Sequence, residues 1–141
     1  MAYERRRVVR FHEVDFARIV YFPRLFAFCH EAFEDFFRDE VGVPYPLMLQ
    51  ERRVGFPVVS TSAEFQLPLR FGDPVRIVME TVKVGGRSLT NLYHLYHEER
   101  EELCAQLRIV TVSISMDRVE SVVLPDDVRE AFERHLADGS E

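Results

Sequence analysis

The sequence predicts an α+β fold in which an antiparallel sheet wraps around one long, largely enclosed helix. Two observations carry that expectation. Within residues 24–41, Leu25, Phe28, Cys29, Ala32, Phe33, Phe36 and Phe37 recur at steps of three and four, the period of a helix. Most of the remaining chain reads as strands separated by turn signals. The apolar face of the helix is also unusually wide. Phe26 and Ala27 extend it, and Glu31, Glu34, Asp35 and Arg38 leave only a narrow polar strip. A helix of this kind needs cover over most of its circumference, and the sheet is the partner that supplies it.

The elements follow in order. Residues 5–13 set β-branched and aromatic side chains between charges, which suggests a first strand. Pro23 suits the first helical turn, where its missing N–H is no loss. Gly42 suits the position just past the helix end. Residues 43–53 contain two prolines and predict a turn or short helix. Residues 54–69 alternate loosely through Val58, Thr61, Ala63, Phe65 and Leu67, and Phe71-Gly72-Asp73-Pro74 marks a break. Residues 75–84 form an amphipathic strand, and Gly85-Gly86 is a hairpin signal. Residues 88–97 and 103–116 complete two long strands, and residues 126–136 a final helix after Pro125. The predicted order is β-α-β-β-β-β-α. No repeat or long linker divides the chain, so residues 1–141 are expected to form a single domain.

Composition narrows the function classes. The chain is 47% hydrophobic and 30% charged, which is globular, and its net charge of −6 argues against a general binder of nucleic acid or anionic membrane. No apolar run approaches the roughly 20 residues of a membrane span. The basic N-terminus lacks the apolar core of a signal peptide, so a cytoplasmic location is expected. Cys29 and Cys104 fall in apolar patterns and are expected to be buried free thiols, not a disulfide or zinc ligands.

The chemistry concentrates in residues 11–23. A strand-like run ends in a carboxylate, Asp15; a short apolar turn follows; then Pro23 opens the helix. This order sets a carboxylate beside the unsatisfied N–H groups of a helix start. A base or nucleophile next to an oxyanion site is the minimal equipment for acyl transfer. An aspartate at such a junction also has a purely structural use, as a cap for turn or helix donors. No nucleophile elbow, zinc-protease motif, phosphate-binding loop or dinucleotide glycine fingerprint is present.

Glu13-Val14-Asp15-Phe16-Ala17-Arg18-Ile19-Val20-Tyr21-Phe22-Pro23 resembles the active-site segment of hotdog-fold acyl-CoA thioesterases of the 4-hydroxybenzoyl-CoA thioesterase family, which reads roughly Asp-x-Asp-x-x-Gly-x-Val-Tyr/Trp-x-Pro. Further similar segments are Gly55-Phe56-Pro57-Val58-Val59, Ala63-Glu64-Phe65, Leu69-Arg70-Phe71-Gly72-Asp73-Pro74-Val75 and Gly85-Gly86-Arg87-Ser88. The likeness runs in order from about Val9 to the last helix. It implies a hotdog fold and hydrolysis of an acyl-CoA thioester, with CoA as part of the substrate and no metal or redox cofactor. It implies that Asp15 is catalytic, either as nucleophile or as base for a water, and that N–H groups around Tyr21 and Phe22 hold the thioester oxygen.

The pattern breaks at Arg18, where the family has glycine. Arg18 is either a solvated loop arginine or a contact to substrate, and Phe16, Arg18 and Pro23 are taken as substrate-binding candidates. Arg87 and Ser88 are either an ordinary hairpin pair or a landing place for CoA phosphates. Glu13 is expected to orient the turn and His12 to be a surface histidine, whereas His30 on the helix either has no functional part or faces the pocket or a neighbouring subunit. His94 and His97, three apart on a strand, should face opposite ways, which disfavours a two-histidine metal site.

The leading expectation is a thioesterase for an aromatic or short- to medium-chain acyl-CoA. The alternatives are a non-catalytic acyl-CoA or acyl-carrier-protein binding module and a hotdog dehydratase. A wrapped sheet still leaves an edge strand, so a homodimer joined edge to edge with sites at the shared interface is expected. The resemblance adds a possible tetramer.

Overall fold

The structure, a computed structural model, describes residues 2–137. Five strands form the main antiparallel sheet: β1 (Tyr3–Val8), β3 (Val58–Phe65), β4 (Pro74–Val84), β5 (Ser88–His97) and β6 (Glu102–Val112), in the order β1-β4-β5-β6-β3. A small second sheet joins β2 (Val54–Gly55), β7 (Ile114–Ser115) and β8 (Glu120–Ser121). Helix α1 (Pro23–Phe36) lies across the main sheet, with α2 (Tyr45–Gln50) beside β2 and α3 (Asp126–Glu133) against β4. This is the hotdog arrangement.

The helical spacing read from the sequence is the packing face. Leu25, Phe28, Cys29, Ala32, Phe33, Phe36 and Phe37 are all buried. After Phe36 the helix widens into a π turn, Phe37–Val41, and stops at Gly42, whose φ of 85° only glycine adopts freely. The widened turn keeps Phe37 inside an aromatic cluster with Phe33, Tyr45, Phe56 and Phe132, and Phe36 stacks on Phe132 at 4.2 Å. Phe26 and Ala27 are not in the core; they face an open seam between α1 and β3. Both cysteines are buried and free.

Three elements differ from expectation. The first strand ends at Val8, not residue 13, because the Val9 N–H turns to Asp73 and Phe11–Glu13 curls into a 3-10 turn. The stretch 54–69 is two strands in two sheets, and 103–116 likewise splits at Ser113, whose N–H donates to the Arg87 carbonyl. Helix α2 fills the region left open between turn and helix. His94 is half-buried and His97 buried, on opposite faces of β5 as expected. Among the described residues no cluster of three or more His, Cys, Asp or Glu is arranged to hold a metal, and no helix is long and apolar enough to cross a membrane.

Candidate active site

The segment between β1 and α1 folds as a small hairpin. Val14 and Val20 form an antiparallel bridge, the Asp15 N–H donates to the Ile19 carbonyl (3.0 Å), and the Arg18 N–H donates to the Asp15 carbonyl (2.9 Å). This is the hydrogen-bond pattern of a three-residue hairpin loop, which needs a left-handed residue at its third position. Arg18 occupies that position with φ 69°. The turn thus has the geometry a glycine would favour, with an arginine in it. Asp15 sits at the first turn position, where its Oδ1 accepts the Ala17 N–H at 2.8 Å. The capping role and an exposed second oxygen coexist in the same side chain.

A left-handed arginine costs about 1–2 kcal/mol, against roughly 0.5–1 kcal/mol of extra chain entropy that glycine loses on folding. Arg18→Gly is therefore expected to raise the melting temperature by about 2–4 °C. A fall measured by calorimetry would show instead that the arginine side chain holds the loop.

The hairpin is anchored through Glu13. This residue is 5% exposed; its carboxylate accepts the Arg10 N–H (2.8 Å) and meets Arg7 Nη2 at 2.6 Å. Arg7 also reaches Glu31 of α1 at 2.9 Å through Nη1, and its guanidinium lies 3.9 Å from the centre of the Phe28 ring. Burial pushes the Glu31 carboxyl above its usual range, against the opposing pull of Arg7. One cation thus ties β1, the 3-10 turn and the helix together, which fixes the hairpin relative to the helix start. Glu13 orients the turn, as expected. His12 is exposed and its Nε2 stays 3.9 Å from Glu13, beyond hydrogen-bond range.

The two oxyanion candidates separate cleanly. The Tyr21 N–H donates to the Glu13 carbonyl at 3.0 Å and is already spent. Of the two donors the sequence offered, that leaves Phe22. Phe22 is the residue just before α1, and its N–H has no acceptor among the described residues; Pro23 has no N–H to offer. Asp15 lies two residue pairs along the hairpin from the Glu13–Tyr21 pair, about 7 Å.

Phe16 is fully exposed at the hairpin tip, and Tyr21 and Phe22 are half-exposed. Asp15, Phe16 and Arg18 border an open cavity of about 610 Å³ with Phe11 and Phe71, whose rings meet edge to face at 5.6 Å. On the other side, Phe22, Leu25 and Phe65 border an apolar cavity of about 340 Å³ at the helix start. The Phe65, Phe71 and Phe11 contributions were not anticipated; their exposure as large rings beside the hairpin is the signal that points to them. Arg87 and Ser88 lie elsewhere. Arg87 donates to the Ser121 carbonyl (2.9 Å) and hydroxyl (3.0 Å) at the turn after β4. That turn is at the opposite end of β4 from the hairpin, about 33 Å away along ten residue steps.

Known proteins resemble this chain along most of its length. Residues 9–132 match the model of the thioesterase-like superfamily. The chain is 29% identical over 143 residues to the 1,4-dihydroxy-2-naphthoyl-CoA hydrolase of Nostoc punctiforme, covering 100% of this chain and 95% of that protein. Its fold is similar to that of the 1,4-dihydroxy-2-naphthoyl-CoA thioesterase from Synechocystis, with a TM-score of 0.86, 22% identity, and coverage of 94% of this chain and 96% of that one. A gentisyl-coenzyme A thioesterase superposes with a TM-score of 0.80 at 26% identity, over 94% of this chain and 99% of that one. With the family match spanning the hairpin, the helix and every strand but β1, this chain belongs to the thioesterase-like superfamily.

Proposed function

We propose that the chain hydrolyses the thioester of an aromatic acyl-CoA, with Asp15 as the reacting carboxylate and the Phe22 N–H as oxyanion donor. The observation that carries this is the pairing of an exposed Asp15 oxygen with one unspent backbone donor at a helix start, in a chain of this superfamily. In the general-base route Asp15 takes a proton from water, the water oxygen bonds to the carbonyl carbon, and the negative charge on the carbonyl oxygen rests against Phe22. Collapse breaks the C–S bond and CoA leaves as its thiol. In the nucleophilic route Asp15 itself bonds to that carbon, CoA leaves, and water cleaves the anhydride. CoA enters as part of the substrate in both, and neither calls on a metal or redox group. The relatives' named substrates, dihydroxynaphthoyl-CoA and gentisyl-CoA, support an aromatic acyl group.

We further propose a homodimer with shared sites. The two free sheet edges differ. β1 carries Arg5, Arg6, Arg7 and Glu4, the charges that guard an edge, whereas β3 (VVSTSAEF) has a single charge and half-exposed Val58, Val59 and Phe65. The Phe65 end of β3 meets Phe22 (6.0 Å), and the Val58 end adjoins the Arg87 turn through the Pro57–Val112 and Arg87–Ser113 backbone bonds. Two β3 edges paired antiparallel about a two-fold would bring the Asp15 hairpin of one subunit beside the Arg87 turn of the other. Within one chain those groups are far apart, so a CoA held by both requires two subunits. Arg87→Ala is then expected to raise KM for acyl-CoA several-fold with little change in kcat, and to spare a short thioester that lacks the nucleotide. Equal effects on both substrates would take Arg87 out of phosphate recognition.

A second reading has one observation in its favour: the Asp15 Oδ1 bond to Ala17 gives that residue a structural role of its own. A non-catalytic acyl-CoA binding module would use Asp15 only in this way. Free-thiol release over a panel of aromatic and aliphatic acyl-CoAs decides between them. Turnover of aromatic thioesters is expected; tight binding without thiol release would establish the binding module.

A further inference from the structure

Asp15 and the Phe22 N–H have to act on the same thioester, yet they ride on different elements. Asp15 belongs to the hairpin, whose register is set by the Val14–Val20 bridge and the Tyr21–Glu13 bond. Phe22 opens α1, which is seated by its own buried face. The register fixes where Asp15 stands along the hairpin; it does not fix how the hairpin tilts over the helix. On the sheet side a backbone bond holds that tilt, from the Val20 N–H to the Leu69 carbonyl at 2.8 Å. On the helix side a side chain holds it, and that side chain is Arg7.

The Arg7 side chain is 13% exposed and that of Glu13 7%. Arg7 Nη2 meets both Glu13 oxygens at 2.6 Å, and Nη1 meets both Glu31 oxygens at 2.9 Å. The guanidinium rests on the Phe28 ring, and Phe28 and Glu31 are neighbours three apart on α1. One arm of the fork therefore grips the hairpin and the other grips the helix. Stability alone is a poor reason for this arrangement. A buried ion pair repays its desolvation only when its hydrogen bonds are complete, and apolar residues of similar volume often serve as well. Here Arg7 Nε is buried without a partner. What a planar two-armed cation supplies, and an apolar side chain does not, is a fixed direction between the groups it joins. Arg7 borders neither of the cavities beside the hairpin and helix start, so it has no part in holding the substrate there.

We propose that Arg7 is a positioning residue for thioester hydrolysis: through Glu13 and Glu31 it sets the tilt of the hairpin on α1, and so holds Asp15 at working distance from the carbon whose oxygen rests on the Phe22 N–H. The inference rests on the hydrolase reading and gives a kinetic role to a residue that touches neither the substrate nor the reacting atoms. A misplacement of about 1 Å at a reacting group is enough to cost on the order of a hundredfold in rate.

The test measures kcat and KM on an aromatic acyl-CoA for wild type, Arg7→Met, Arg7→Lys and Glu31→Ala, each alone and combined with Asp15→Asn. Arg7→Met should lower kcat by about 10- to 100-fold and leave KM within about twofold. Arg7→Lys keeps the charge without the fork and should recover only part of the loss. Glu31→Ala releases the helix arm alone, at a side chain 52% exposed, and should lower kcat by a smaller factor. It carries the comparison should Arg7→Met fail to fold. On the Asp15→Asn background either change should cost little more, because the group being positioned has lost its function. Amide hydrogen exchange on the same samples should quicken across residues 14–21 and stay unchanged in β4 and β5. Wild-type kcat in the variants, a loss confined to KM, or an equal loss on the Asp15→Asn background overturns the proposal and leaves the hydrolase assignment standing. Absence of thiol release from wild type overturns the hydrolase assignment; exchange across residues 14–21 then decides whether Arg7 holds the hairpin to the helix, and unchanged exchange overturns that as well.

Discussion

Asp15→Asn is expected to lower turnover of an aromatic acyl-CoA by about 10²–10⁴-fold, the contribution of a positioned base or nucleophile. The fold should survive, because asparagine keeps an Oδ1 to accept the Ala17 N–H and suits the first position of the same turn. What asparagine lacks is the negative charge and basicity of the second oxygen. Substrate affinity should change little, since the cavity at the helix start and the Phe22 donor are untouched. Melting temperature and binding of a non-cleavable acyl-CoA analogue, measured beside turnover, separate this from a folding defect. Near-normal turnover in a folded variant would remove Asp15 from the chemistry and leave it as a turn residue.

Subunit dissociation is expected to abolish activity as completely. The Asp15 hairpin and the Arg87 turn stand at opposite ends of β4, about 33 Å apart within a chain. In the proposed dimer they converge when a second β3 pairs with the first. Phe16, fully exposed at the hairpin tip, and the half-exposed Phe65 and Val58 are the apolar groups that such pairing would cover. Specific activity followed over a dilution series, with light scattering on the same samples, should fall in step with the dimer fraction. A monomer with full activity would overturn the shared site without touching the role of Asp15.

Much of this was legible in the sequence, and the failures have physical causes. Helix α1 was readable because a 3.6-residue period survives any environment that buries one face; Leu25, Phe28, Cys29, Ala32, Phe33, Phe36 and Phe37, the positions of that period, all lie inside. The place of Asp15 in the turn was readable because a turn aspartate before an N-terminal helix proline is a local pattern. The end of β1 was not, since Val9 and Phe11 continue the alternation while their backbone is captured by Asp73 and by the 3-10 turn. The break at Ser113 depends on a bond to Arg87, 26 residues earlier (113 − 87), and leaves no local mark. The spent Tyr21 donor has the same origin: the Val14–Val20 bridge sets a register that side-chain identities do not encode. Arg18 was flagged as a departure, and its φ of 69° shows that the departure lies in the residue and not in the turn.

The crystal structure of the Asp15→Asn variant with an uncleaved aromatic acyl-CoA tests the central claim most directly. The thioester carbonyl oxygen should lie about 2.7–3.1 Å from the Phe22 backbone nitrogen, with residue 15 beside the carbonyl carbon and the ring directed along the α1–β3 seam. A thioester bound away from the helix start, or with its carbonyl oxygen turned from Phe22, would contradict the account.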